Sequence, residues 1–235
     1  SARKRGHVSE ARYTAALGEQ EEFKTQLRAC LDVENAVAAK EVVWLADGAP
    51  GNWLLARTLA PSATQILDWY PAVEHASDCG KALLGEGDAG LADWKTRAEQ
   101  LLRGDDFSAL LEELKACRPL LDSVAQAKAL ADLLRYYETN RSRMAYADFR
   151  ARGLLIGSGV VESAHRHVIQ TRMKKAGQHW SVPGARRMAR LRAAYRTTGP
   201  DRFYASVRWA FRMTRRAQAF LHKAHKPDLR KLRTL

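Results

Sequence analysis

Residues 42–49, Val-Val-Trp-Leu-Ala-Asp-Gly-Ala, form a short apolar run that ends in an acidic residue followed by glycine. Short strands that are apolar along their whole length are typical of parallel sheets, because both faces of such sheets are covered. We therefore predict a buried strand over 42–45, with Asp47 at its carboxyl end. Gly48 and the Pro-Gly pair that soon follows predict a chain break directly after the acid.

A second strand of the same character is predicted over Thr64–Leu67, and it is followed by Asp68. The residues between the two strands have helical spacing over 52–59. This alternation of strand, helix and strand favours an α/β sheet with crossover helices. Ahead of these elements, the sequence predicts a short strand over 12–17 and a helix over 33–40.

From residue 69 onward, helical periodicity replaces the strand pattern. Four helices with no strand between them are predicted over 72–84, 89–103, 106–116 and 119–139. After a loop rich in glycine, further helices are predicted over 160–175, 183–195 and 201–222, with a basic, frayed tail over 223–235. The chain is thus divided into a sheet-containing segment (1–70), a helical insertion (71–145), a helix with Glu162 followed by basic helices (146–200), and a basic C-terminal helix and tail (201–235).

Charge is distributed very unevenly along the chain, whose formal net charge is +13 over 235 residues. Residues 151–235 hold 20 Lys/Arg against 3 Asp/Glu, whereas residues 1–150 hold 19 against 23. A one-sided basic footprint of this size is typical of proteins that bind a polyanion, either nucleic acid or an anionic membrane surface. The alternative is a solvated basic surface that has no dedicated ligand.

Three cysteines, Cys30, Cys79 and Cys117, lie far apart and form no CxxC pair. They predict neither a disulfide framework nor a thiolate zinc site, which fits a reducing cytosol. No apolar stretch approaches the length of a membrane span, and the basic helices lack a clean, wide apolar face, so a membrane role is disfavoured. The chain begins with Ser1, and we expect it to be the later part of a longer product.

Two acidic residues in glycine-marked settings are the candidates for chemistry. Asp47 is placed at the carboxyl edge of the predicted sheet, where α/β folds locate their sites; the alternative is an Asp that only starts the next turn. Glu162 follows Gly157-Ser158-Gly159 in the first turn of a predicted helix, where it is either a capping residue or a ligand. An Asp and a Glu that meet in space hold hard divalent cations through their oxygens.

The helix that carries Glu162 also carries several cations. With α-helical spacing, Glu162 shares a face with His165, Arg166, Ile169, Arg172 and Met173. Ile169 and Met173 are expected to pack inward, while the cations line a groove for a phosphate backbone: Arg166, Arg172, Lys174 and Lys175. His165 and His167 point to different sides of a helix and are not predicted to form a metal pair.

Further residues are candidates for supporting roles. If the two predicted strands are adjacent, Asp68 lies near Asp47 as a supporting carboxylate or a third ligand. Trp180 either stacks on an unpaired base or packs between two helices. The basic helix beyond it adds candidate DNA-binding residues: Arg186, Arg187 and Arg190.

Four segments, in order and spacing, resemble the bacterial insertion-sequence transposases of the Kra type, a group related to the Mutator-like DDE transposases. They are residues 44–49 with Trp53 downstream, 65–75, 157–163, and 172–180. The similarity extends from about Arg12 to Tyr204. The resemblance implies a ribonuclease-H-like fold, here partial, with a helical insertion before the catalytic Glu.

By this resemblance Asp47 is the second catalytic Asp and Glu162 is the catalytic Glu. Two Mg²⁺ (or Mn²⁺) ions would be held by such carboxylates for DNA cleavage and strand transfer, with DNA ends and target as partners. The family's first Asp has no counterpart among the acids before Asp47, so we expect a truncated chain with impaired activity. The family also usually has a His where this sequence has Pro71.

Two alternatives remain at this stage. One is a non-enzymatic, DNA-binding remnant of a decayed element, in which the acidic motifs survive only as structure. The other is a metal-dependent nuclease without strand transfer. For the intact protein we expect a homo-oligomer in the cytoplasm, associated with the nucleoid.

Overall fold

The structure is a computed structural model that describes residues 10–104 and 106–224. The chain forms two compact units, whose boundary in the C-terminal half lies between His165 and Arg166. The first unit contains Lys24–His165, and the second contains Glu10–Phe23 together with the chain from Arg166 onward. This is a different partition from the four segments inferred from the sequence, because residues 10–23 group with the C-terminal helices.

A two-stranded parallel sheet forms part of the first unit. Strand β1 (Val43–Ala46) pairs with β2 (Thr64–Leu67), in a register that places Val43 opposite Thr64 and Ala46 opposite Leu67. Helix α2 (Pro50–Leu59) is the crossover, and proline at its start suits the first helical turn, where no backbone donor is needed. Both predicted strands are confirmed, and this parallel pair is compatible with the predicted α/β class, although most of the described residues are helical.

Helices make up the rest of the first unit. They are α1 (Gln20–Val33), whose first turn belongs to the second unit, α3 (Trp69–Leu84), α4 (Leu91–Arg103), α5 (Phe107–Ala116), α6 (Val124–Asn140), α7 (Tyr146–Ala151) and α8 (Gly159–His165). The core is shared between sheet and helices, since Ile66, Leu67, Ala72, Tyr137 and Tyr146 are all fully buried. The predicted helical stretch between the two acidic motifs is confirmed.

Two sequence predictions near the N-terminus are wrong. Residues 12–17 form no strand. Instead, the N–H of Tyr13 donates to the hydroxyl of Thr197 at 2.9 Å, and that hydroxyl donates to the carbonyl oxygen of Tyr13 at 3.3 Å. The helix predicted over 33–40 shrinks to a single 3₁₀ turn, Ala36–Ala38, behind the left-handed residue Asn35. A short apolar segment becomes a strand only where a neighbouring strand completes its hydrogen bonds.

The second unit contains α9 (Thr171–Met173), α10 (Val182–Thr198) and α11 (Pro200–Ala224). Its interior contains Val168, Ala189 and Ala193. The predicted basic tail from residue 225 onward lies outside the described residues.

The helix predicted over 160–175 is not a uniform α-helix. A π-helical segment, Arg166–Gln170, separates α8 from α9, and the hydroxyl of Thr171 donates to the carbonyl oxygen of Arg166 at 2.6 Å. A π turn accommodates one more residue than an α turn, so it shifts the faces of the residues that follow. Val168 is accordingly the buried side chain, while Ile169 and Met173, predicted to pack inward, are only half-buried.

Candidate active site at the sheet edge

Asp47 lies directly after β1, and its side chain is exposed. Its Oδ1 accepts hydrogen bonds from the N–H of Ala49 at 3.1 Å and from Nδ2 of Asn52 at 2.8 Å. The same carboxylate therefore has a structural use, because it orders the turn into α2. Its Oδ2 accepts no hydrogen bond from the described part of the chain and remains open to a ligand.

The loop after Asp47 is held by aromatic side chains. Tyr136, from α6, donates its hydroxyl to the carbonyl oxygen of Asp47 at 3.0 Å, and Nε1 of Trp53 donates to the carbonyl oxygen of Gly48 at 3.2 Å. Gly48 has φ +93°, and a Cβ there would lie 2.8 Å from the Tyr136 hydroxyl. Only glycine fits both the backbone conformation and the close approach.

Asp68 follows β2 and is buried, with 3% of its surface exposed. It caps α3 by accepting from the N–H of Tyr70 at 3.1 Å. Both of its carboxylate oxygens also lie 3.2 Å from the N–H of Ser158. A backbone bond holds the same loop, because the N–H of Trp69 donates to the carbonyl oxygen of Ile156 at 2.8 Å. A buried carboxylate of this kind is stabilised by backbone donors, and it fastens the loop before α8 to the sheet.

Glu162 lies one helical turn beyond that contact. The carbonyl oxygen of Ser158 accepts from the N–H groups of Val161 at 2.6 Å and Glu162 at 3.0 Å, which begins α8 at the sheet edge. Gly157 packs closely there, because a Cβ would lie 3.1 Å from the ring of Tyr70. The Glu162 side chain is exposed, and its carboxylate accepts no hydrogen bond from the described residues.

The structure therefore brings the segments of Asp47 and Glu162 to the same edge of the sheet. Asp47 and Asp68 end two strands that are paired in register, and Asp68 holds the loop that leads to Glu162. The hard oxygens that remain open, on Asp47 and Glu162, suit Mg²⁺ or Mn²⁺, whereas those of Asp68 are engaged by backbone donors. Within the described ranges, no group of three or more His, Cys, Asp and Glu side chains is placed to hold a metal ion.

Tyr136 and His75 were not identified from the sequence, and both lie beside this edge. Their rings stack with centroids 3.9 Å apart, and they line a groove of about 510 Å³ that also includes Gly48, Pro50 and Asn140. Burial raises the pKa of Tyr136, and the carboxylates of Asp47 and Asp68 raise it further, so the phenol stays protonated as a donor. By its spacing alone, an aromatic residue on an amphipathic helix cannot be distinguished from a core residue. The sequence therefore gave no signal that Tyr136 lies at this edge.

The predicted DNA-binding residues of the second unit divide into two groups. Arg166, Lys174, Lys175 and Arg187 are exposed, and their side chains form no ion pair or hydrogen bond with the described residues. The guanidinium of Arg172 is 5.4 Å from the ring centroid of Trp180, and both side chains are half-buried. In this arrangement Trp180 packs within its unit, and its buried Nε1 has no hydrogen-bond partner among the residues that the structure describes.

Arg186 and Arg190 are engaged inside the second unit. Nε of Arg186 donates to the carbonyl oxygen of Leu17 at 2.9 Å, and Arg190 forms an ion pair with Glu22. Both arginines thus fasten the segment 10–23 to α10. Of the three basic residues predicted on this helix, Arg187 is the one that is free to meet a phosphate.

Comparison of the chain with known protein families, with curated proteins and with solved structures found no match in any of the three. None of the described helices combines the length and apolar character that a bilayer crossing requires.

Proposed function

We propose that this chain is part of a DDE-type DNA transposase, which performs metal-dependent cleavage and strand transfer on DNA. One observation carries the proposal: the carboxylate of Asp68 ties the loop before Glu162 to the sheet edge where Asp47 lies. This contact supports the proposal that two acids separated by more than a hundred positions act together at one edge of a parallel sheet, which is where α/β folds place their sites. The resemblance to Kra-type transposases independently assigns chemistry to the same two acids.

The proposed fold is a partial ribonuclease-H-like domain with a helical insertion. The β1-α2-β2 unit has the parallel register and the crossover helix that such a domain needs. Helices α3 to α7 follow β2 in the chain and precede the helix that carries Glu162. The order of these elements agrees with a ribonuclease-H-like fold, which is itself part of the proposal.

In this proposal each residue at the edge has a defined task. Asp47 and Glu162 would hold Mg²⁺ or Mn²⁺, two ions in the intact enzyme, which would supply activation of a hydroxyl nucleophile and charge neutralisation at the phosphate. Tyr136 and Asn52 orient Asp47, and Asp68 positions the helix of Glu162. These contacts keep the two carboxylates in place before DNA arrives.

The basic second unit would hold the DNA. Its exposed cations are free to neutralise phosphates: Arg166, Lys174, Lys175 and Arg187. The same cations account for a binding step that does not depend on the carboxylates. We propose DNA ends and target as the partners, a homo-oligomer as the intact form, and the nucleoid within the cytoplasm as the location.

A second function, DNA binding without catalysis, is favoured by a specific observation. Asp47 orders the turn into α2 and Asp68 caps α3, so both acids have structural uses that would preserve them in an inactive remnant. No first catalytic Asp was identified in the sequence before Asp47. We accordingly expect weak cleavage from the chain by itself.

The two functions are separated by a plasmid-nicking assay with Mn²⁺ and with Mg²⁺. If the chain is catalytic, Asp47→Asn and Glu162→Gln abolish nicking while DNA affinity, followed by fluorescence anisotropy, is unchanged. Glu74→Gln is the matched control, since Glu74 is an exposed carboxylate of α3 in the same unit. DNA binding without any metal response, or nicking that survives both substitutions, would reject the catalytic function and leave the binding one.

A further inference from the structure

Residues 10–23, which we call the acidic strap, lie along one side of α10 in the second unit. The N–H of Tyr13 donates to Thr197 near the end of that helix, and the carbonyl oxygen of Leu17 accepts from Nε of Arg186 near its start. The spacing from residue 186 to residue 197 returns to nearly the same side of an α-helix and covers about 16 Å of its axis. The acidic strap therefore follows α10 in the opposite direction for about three turns.

The acidic strap brings a carboxylate onto two arginines of that side. Glu22 forms an ion pair with Arg190, and its Oε2 lies 3.8 Å from Nε of Arg186. The chain also passes close to Arg186, since Gly18 has φ +134° and a Cβ there would lie 2.8 Å from Nη2 of this arginine. Both guanidinium groups are thus engaged by the acidic strap, one of them through a main-chain carbonyl as well as the carboxylate.

Charge is divided sharply between the acidic strap and the rest of its unit. The strap holds four Asp/Glu and one Arg, whereas residues 166–224 hold 15 Lys/Arg and one Asp. A surface with so large an excess of one sign attracts a polyanion over a distance. The acidic strap lowers that attraction where it covers α10.

The ion pairs of Glu22 contribute little to holding the strap in place. The side chains of Glu22, Arg186 and Arg190 are 26%, 40% and 50% exposed, and ion pairs that water can reach to this extent add little stability. The hydrogen bonds of Tyr13 and Leu17 do not depend on the charge of residue 22. The main effect of this carboxylate is therefore on the charge that α10 presents to a phosphate.

We propose that the acidic strap is autoinhibitory: the carboxylate of Glu22 occupies Arg186 and Arg190 and withholds them from the phosphates of DNA. The inference rests on the proposed function, in which the second unit binds DNA. Arg187 lies on the adjacent side of the same helix and stays available to a phosphate. The chain then binds DNA more weakly than its cations allow, and neutralising Glu22 strengthens binding.

The test is the affinity of the full chain for a fluorescently labelled DNA duplex, followed by anisotropy as the salt concentration is varied. Each arginine released by Glu22→Gln should steepen the slope of log affinity against log salt by about 0.9. Relative to 1 M salt, that slope amounts to about eightfold tighter binding at about 0.1 M salt for each arginine.

Glu19→Gln is the matched control. It removes the same charge from the acidic strap, but the exposed side chain of Glu19 forms no ion pair or hydrogen bond with the described residues. This variant should bind DNA much as the wild type does. In the Glu22→Gln background, Arg190→Ala should remove about one phosphate contact, whereas the same change in the wild-type chain should have a smaller effect.

The outcomes separate this proposal from the proposed function. If the wild type binds DNA and Arg187→Ala weakens binding, but Glu22→Gln binds no better than Glu19→Gln, the strap is not inhibitory and the proposed function stands. If neither the wild type nor Glu22→Gln binds DNA, both proposals are overturned. Circular dichroism should give the wild type and Glu22→Gln the same unfolding temperature. A Glu22→Gln chain that unfolds earlier and binds more weakly would assign the ion pairs to stability alone.

Discussion

Replacing Asp68 by alanine should weaken the sheet edge more than the loss of a helix cap can explain. The substitution removes the cap on the N–H of Tyr70, worth about 1 kcal/mol, and the bond from the N–H of Ser158 to a buried carboxylate, worth about 2 kcal/mol. The expected loss is therefore about 3 kcal/mol, equivalent to a fall in Tm of about 6–12 °C for a chain of this size.

The matched control for this substitution is Asp106→Ala. Asp106 caps α5 by accepting from the N–H of Ala109 at 3.0 Å, but it is exposed, and its side chain bonds to no other segment within the described ranges. Its replacement should cost only about 1 kcal/mol. Urea unfolding of both variants gives the comparison, and amide exchange shows whether Ser158 loses protection in addition to Tyr70. Equal costs for the two variants would refute the role assigned to Asp68.

Three further predictions concern other parts of the chain. Gly48→Ala should destabilise by about 2–3 kcal/mol, since its Cβ would meet a tyrosine hydroxyl at 2.8 Å, whereas Gly153→Ala, also at positive φ but with open space, should cost about 1 kcal/mol in thermal unfolding. Arg187→Ala should lower the slope of log affinity for DNA against log salt by about 0.9, while Arg190→Ala, whose guanidinium pairs with a glutamate, should change it less. Burial raises the pKa of the Cys79 thiol from 9.0 to about 11. The contribution of the neutral thiol to stability is therefore complete below pH 9 and is lost as the pH rises through 11. Cys79→Ala should flatten the plot of unfolding free energy against pH over this range.

The elements that the sequence predicted best are those with a strong local pattern. The run 42–45 is apolar throughout, and it becomes β1 displaced by one residue; Thr64–Leu67 becomes β2 at the predicted bounds. Glycine and proline after β1 marked its end correctly. These signals are local in the chain, because a buried strand needs apolar residues and its exit needs residues that break it.

Contacts between distant segments could not be predicted in the same way. The bond from Tyr136 to Asp47 joins residues 89 positions apart, and the use of Asp68 to hold Ser158 depends on a loop 90 positions away. Nor does spacing reveal that Glu22 engages Arg190, a residue that the sequence assigned to DNA. Side-chain partners of this kind are set by the packing of the whole unit.

The π-helical segment Arg166–Gln170 makes the length of this stretch matter as much as its composition. Deleting one residue from it would restore ordinary α-helical winding and would turn Arg172 and Met173 by about 100° about the helix axis. The side chains now half-buried there would swing outward with no change in their identity. Substitutions in this segment are therefore expected to be tolerated better than the insertion or deletion of a single residue.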